Sequence, residues 1–167
     1  MWKVERLRKL EKAGVVAVVR GSSKKQALNA SRAVIEGGMT GIKLTFTVPN
    51  AERAIQELVE TYQENSSVII GAGTVLDATT ARFAIMAGAE FIVSPCFDLE
   101  TAKICNLYQI PYLPGCMSIN EMKEALKAGV IAVGVGVNLM APAEVGNFAE
   151  VTAIANKYMV NFKKIKE

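Results

Sequence analysis

A glycine turn followed by a short apolar run recurs four times in this chain. The copies are KAGVVAVVRG at 12–21, EGGMTGIKLTF at 36–46, MAGAEFIVSP at 86–95 and KAGVIAVGVG at 127–136. Each reads as a helix that ends on glycine and hands over to a strand. Glycine takes the positive φ that a helix end needs, and Val, Ile and Phe suit a pleated, buried run. Strands that recur with helices between them run parallel, and a parallel sheet is covered by its crossover helices. SVIIGAGTV at 67–75 and IPYLPGC at 110–116 have the same character without the glycine entry. Six parallel strands are therefore expected near 15–20, 41–46, 68–72, 91–94, 111–114 and 130–135, at a spacing of 19–27 residues that fits one βα unit each. No linker or low-complexity stretch breaks the series, so residues 1–167 are expected to form a single domain.

The intervening segments carry helix start signals. Ser23 to Gln26 and Ser118 to Glu121 match the capping box, in which side chains satisfy the orphan amides of a first turn. Asn50, Asp77 and Asp98 stand where simpler N-caps are expected. Ala54, Ile55, Leu58 and Val59 form one apolar stripe. A first helix over roughly 2–12 and a last one over roughly 147–164 complete the scheme.

Composition sets bounds on function. A 51% hydrophobic content over 167 residues is enough for one full core. The opening MWKVERLRKLEK is not a signal peptide, and no apolar run reaches membrane-spanning length. Cys96, Cys105 and Cys116 show no metal spacing and read as free thiols, so a cytoplasmic setting is expected. A net charge of +3, dispersed over the chain, does not point to nucleic acid. The chain has no histidine, which removes Ser-His-Asp triads, Cys-His pairs and His-ligated zinc. Lysine, carboxylates, arginine and backbone amides are left to carry any chemistry. No metal or organic cofactor is expected.

Ligands of parallel α/β folds lie at the carboxyl ends of the strands. In the second strand Ile42, Leu44 and Phe46 alternate with Lys43, Thr45 and Thr47. The apolar set must face the helices, so Lys43 is expected to point inward, where an unpaired ammonium is costly. Arg20 closes the first strand, Thr74 the third, Ser94 and Pro95 the fourth, and Pro114 with Gly115 the fifth.

VVAVVRG, LTFTVPNAE, IIGAGTVLDA, AGAEFIVSP and PYLPGCM, in that order, resemble the 2-keto-3-deoxy-6-phosphogluconate / 4-hydroxy-2-oxoglutarate (KDPG/KHG) aldolases almost from end to end. The resemblance implies a TIM-barrel-like (β/α)8 fold of the class I aldolase type, usually trimeric. It also implies a lyase that releases pyruvate and an aldehyde through a lysine Schiff base, without a cofactor. On the matching positions, Arg20 is a site arginine and Thr74 a substrate-contacting threonine. Thr45, Pro95, Pro114 and Gly115 lie in the substrate-site motifs, and Thr47 stands where some members carry a carboxylate-binding arginine. Gly136 and Asn138 are the remnant of the phosphate site.

Two departures touch the chemistry. The helix ending at Ala128–Gly129 runs directly into VIAVGVG, which resembles the family's last strand. The strand with the Schiff-base lysine and the strand ending in a Gly-Gly phosphate loop are thus missing, leaving about six parallel strands with outer helices. Lys43 occupies the position of the family's proton-transfer glutamate. An inward lysine near Arg20 has a lowered pKa and can attack a ketone, which makes Lys43 the candidate for a displaced Schiff-base residue. Two functions follow from these residues. One is a family aldolase acting on a pyruvate-type 2-keto acid with impaired machinery. The other is a catalytically inactive shortened barrel serving as a scaffold or arising as a deletion product. In either case a homo-oligomer is expected, because lost units expose apolar surface.

Overall fold

A computed structural model of the chain describes residues 2–95, 98–114, 133–135 and 137–166. Six strands form one parallel sheet: β1 (Val15–Val19), β2 (Gly41–Thr45), β3 (Ile69–Gly73), β4 (Ile92–Ser94), β5 (Tyr112–Pro114) and β6 (Val133–Val135). Their order is β5-β4-β3-β2-β1-β6, and every pairing is parallel. β5 and β6 lie at the two ends, with no pairing between them among the described residues. The strand pattern therefore matches the expectation: β1, β2, β4 and β5 are each one residue shorter at one end, and β3 lies one residue later than expected. The segment expected as a helix after Ser118, the start of the last strand at 130–132, and Cys96 and Cys116 lie outside the described residues.

Seven helices are described: α1 (Trp2–Ala13), α2 (Lys24–Glu36), α3 (Ala51–Tyr62), α4 (Ala78–Met86), α5 (Leu99–Leu107), α6 (Val137–Glu144) and α7 (Phe148–Lys166). The aspartates cap as expected, Asp77 accepting from the Thr80 amide at 2.7 Å and Asp98 from the Thr101 amide at 2.8 Å. Ser23 accepts from the Gln26 amide at 3.2 Å. Gln26, however, reaches past Ser23 and takes the Ser22 amide at 2.7 Å, so the capping box is shifted by one residue on its return arm. Asn50 does not cap with its side chain. It sits at φ 55°, ψ 43°, a left-handed turn that asparagine tolerates, and its carbonyl takes the Arg53 and Ala54 amides instead.

Strand alternation sorts the core into two faces. Val15, Ala17, Val19, Ile42, Leu44, Ile70, Ala72 and Ile92 pack against the crossover helices. Val16, Ile69 and Phe91 pack on the opposite face against Leu10 and Ala13 of α1. α1 is tied down beneath that face by long-range polar contacts, Lys9 to Glu90 at 2.8 Å and the Arg6 guanidinium to the Gln109 carbonyl at 3.1 Å. The face carrying α1 is the inner one. Rows of inner residues cross the sheet in register: Val16, Gly41 and Ile69, then Val18, Lys43 and Gly71. Lys43 is thus inward, as the alternation requires, at the level above the α1 plug.

Candidate active site

β2 delivers Lys43 to the inner face because Ile42 and Leu44 on either side are fully buried among the helices. Its stem lies across the neighbouring strand. A Cβ at Gly73 would fall 2.8–2.9 Å from Lys43 Cγ, Cδ and Cε, so the lysine occupies the space a side chain on β3 would fill. Gly71, one inner position lower, is cleared for Phe91 in the same way. Alternate glycines in GAGT are therefore what lets a long side chain lie flat over β3. The period-two spacing of Gly71 and Gly73 was visible in the sequence, but their role was not.

Burial, and then the Arg20 guanidinium, hold the Lys43 pKa below the ordinary lysine value of 10.5. No carboxylate forms an ion pair with Lys43 among the described residues. The unfolded chain keeps the ordinary value, so between the two values it binds more protons than the folded chain. Stability tied to this group therefore rises with pH through that window and is complete above 10.5. Lys43→Met removes the penalty. Its Tm should exceed the parent's at pH 7 by about 2–4 °C for each kcal/mol relieved, as for chains of this size. Thermal melts from neutral pH upward should show the gap closing toward 10.5. A constant gap would mean that Lys43 ionisation is not its source.

The carboxyl ends of β1 and β2 are joined by hydroxyl bonds. Thr45 Oγ1 donates to the Val19 carbonyl at 3.2 Å and lies 2.8 Å from Thr47 Oγ1. Thr45 is buried, and Thr47 opens into a cavity of about 340 Å³ that Arg20 also lines. Ser22, Gln26, Met140 and Glu144 are among the other residues that line it. Lys43 and Thr74 lie outside this lining. Arg20 is the link, facing the cavity while acting electrostatically on Lys43.

Thr74 follows β3 with φ 56°. A β-branched residue in the left-handed region is an outlier, and such backbone costs of order 1–3 kcal/mol where the surroundings impose it. Neighbouring bonds do impose it, since the Gly73 carbonyl takes the Phe46 amide at 2.8 Å and the Val75 amide reaches Val93 at 3.2 Å. Pro95 is exposed just past β4. Pro114 ends β5 opposite Ser94, and Asn138 lies in α6. Gly115 and Gly136 lie outside the described residues. The site's second wall, from α6 and Gln26, was not anticipated, because no local pattern marks it.

The only described cysteine, Cys105, is buried, and its thiol is pushed up to about 11 by that burial. It is therefore a packing residue rather than a nucleophile. Among the described residues no His, Cys, Asp and Glu cluster is placed to hold a metal, and no helix is long and apolar enough to cross a membrane.

Residues 7–162 match the aldolase family described as KDPG and KHG aldolase. The 2-dehydro-3-deoxy-phosphogluconate aldolase of Treponema pallidum (strain Nichols) is 35% identical over 150 residues, covering 89% of this chain and 68% of the relative. The 2-dehydro-3-deoxy-6-phosphogalactonate aldolase of Escherichia coli (strain K12) is 30% identical over 122 residues, covering 73% and 58%. This chain thus spans between half and about two thirds of the length of such relatives. Among solved structures, a KDPG aldolase from Legionella pneumophila with pyruvate captured as a covalent carbinolamine superposes with a TM-score of 0.73 at 20% identity, over 91% of this chain and 97% of that one. At that identity the likeness speaks to the fold.

Proposed function

The chain belongs to the KDPG/KHG aldolase family and has its α/β, TIM-barrel-like fold; from that premise we propose that it binds pyruvate-type 2-keto acids and forms an imine at Lys43, with slow carbon–carbon cleavage. The observation that carries this reading is the Lys43 side chain, inward at the middle of β2, laid across Gly73 and held at a lowered pKa. A lowered pKa raises the fraction of neutral amine, which is the nucleophilic form.

As an amine, Lys43 adds to the C2 carbonyl of the keto acid, and the carbinolamine loses water to give an iminium. The iminium takes the electrons of the C3–C4 bond as the aldehyde departs, leaving an enamine. Protonation at C3 and hydrolysis then return the free lysine and pyruvate. Thr74 holds the carboxylate, while Arg20 and the Thr45–Thr47 hydroxyls meet the rest of the substrate. By the family resemblance, Pro95, Pro114 and Gly115 belong to the substrate site, and Gly136 with Asn138 to the remnant of a phosphate site. The C4 hydroxyl proton leaves to water as the bond breaks, because by the family resemblance Lys43 stands where a glutamate would take it. Cleavage is for that reason the slow step.

We read residues 1–167 as one shortened barrel domain, cytoplasmic, and self-associating, as a trimer if it follows the family. Exposed Phe83 and Met86 on α4 with Leu99 and Leu107 on α5 are apolar surface of the kind that copies of a chain cover.

Incubation with pyruvate and borohydride, followed by peptide mass spectrometry, tests the reading. One reduced pyruvate adduct is expected, on the peptide carrying Lys43, and Lys43→Met should abolish it. Labelling at another lysine would remove Lys43 from the mechanism. No adduct at all would favour the second reading, a non-catalytic shortened barrel, to which the missing carboxylate partner of Lys43 already lends weight.

A further inference from the structure

Arg20 and Glu144 line one cavity of about 340 Å³ and do not meet across it. No ion pair joins them, and neither side chain has a hydrogen-bond partner among the described residues. Opposite charges that share a cavity and leave each other unpaired are a polarised frame: a donor fork on one side and acceptor oxygens on the other. The hydroxyl-bearing Ser22 and Thr47 sit on the same rim, and the apolar Val18 and Met140 supply the rest. The volume lies within the range of small-molecule sites, roughly 300–1,000 Å³.

The frame is held open by a brace. Gln26 Nε2 donates to the Ala143 carbonyl at 2.7 Å, while its Oε1 accepts from the Ser22 amide at 2.7 Å and from Ser22 Oγ at 3.0 Å. One side chain thus fixes the loop after Arg20 against the last turn of α6, immediately before Glu144. Gly21 fits tightly into this arrangement, since a Cβ there would lie 3.2 Å from Gln26 Oε1. The backbones that carry the two charges are therefore fixed relative to each other.

We infer that Glu144 is a specificity-determining residue of this cavity, which takes the uncharged polyhydroxylated half of a 2-keto sugar acid and discriminates against a phosphorylated one. Sugar hydroxyls both accept from a guanidinium and donate to a carboxylate, so they satisfy both walls at once. A phosphate dianion gains from Arg20 but meets the like charge of the Glu144 carboxylate on the same rim, a repulsion that an uncharged hydroxyl does not pay. The inference rests on the 2-keto acid reading above and names the substrate class of the same site.

Calorimetric titration of the full chain with 2-keto-3-deoxygluconate and with its 6-phosphate tests it. The parent should bind the unphosphorylated acid about tenfold more tightly, and Glu144→Gln should bring the two within about threefold by tightening the phosphate form. Glu144→Lys should reverse the preference, and Arg20→Met should weaken both ligands. Glu144 is exposed, so these variants keep the fold, which matching thermal melts will verify. Equal or tighter parent binding of the 6-phosphate, an unchanged preference in Glu144→Gln, or no binding of either acid overturns the inference. A preserved preference with no borohydride adduct at Lys43 would instead leave this cavity assignment standing and sink the imine reading.

Discussion

Cleavage of 2-keto-3-deoxy-6-phosphogluconate by this chain is expected to run at least about 10²–10⁴-fold slower than by the Treponema pallidum relative, the range that a positioned proton-transfer group contributes. Imine formation needs only a neutral amine in reach of the carbonyl, and burial with Arg20 nearby shifts Lys43, on the inner face, toward that form. Breaking the C3–C4 bond also needs a base for the hydroxyl proton. On the family resemblance, Lys43 fills the strand position that would carry it, and the described residues place no carboxylate against the amine. Nucleophile and base are thus competing for one position. A coupled assay of pyruvate release, run beside the relative under the same conditions, measures the ratio. Adduct formation with slow release is the expected pair of results. Release within about tenfold of the relative would show that another group transfers the proton.

Gly71→Ala should destabilise the fold by about 3 kcal/mol, the upper end of the cost of overpacking a core. A Cβ at residue 71 would stand 2.5 Å from three atoms of the Phe91 ring. That ring is fully buried against Leu10, Ala13, Val16 and Ile69, so it cannot turn aside without moving α1 or the sheet. For a chain of this length the loss corresponds to a Tm lower by about 6–12 °C. Phe91→Leu in the Gly71→Ala background should recover part of it, and the double-mutant cycle would report a coupling between adjacent residues. Denaturant unfolding of the four proteins measures both quantities. A Gly71→Ala variant within about 0.5 kcal/mol of the parent, the ordinary scatter of surface changes, would mean that β3 and β4 separate more easily than their packing suggests.

Much of the fold was legible in the chain itself. Four glycine-then-apolar runs and two apolar runs without the glycine entry, all at one βα spacing, led to six parallel strands, and the apolar residues flanking Lys43 placed it inward before any contact was known. Aspartates 77 and 98 announced their helices because capping is a contact across three residues. Asn50 misled, since the same residue type serves both as a cap and as a left-handed turn, and composition does not separate the two. Gln26 was legible as a capping residue but not as a brace, because its second partner lies 117 positions away.

What the sequence determined by itself was periodic and local: strand and helix identity, parallel direction, the inward face of β2, and the motifs that tie the chain to its family. What tertiary structure decided was every neighbour across strands and helices. Register set Lys43 against Gly71 and laid its stem over Gly73, so two glycines of β3 became the floor of a site. Packing of α6 against α2 brought Glu144 to the cavity of Arg20 and held it there through Gln26. The physical reason is range. Backbone preference and amphipathic period act between residues a few positions apart, whereas a cavity is made where distant segments fail to fill the space between them.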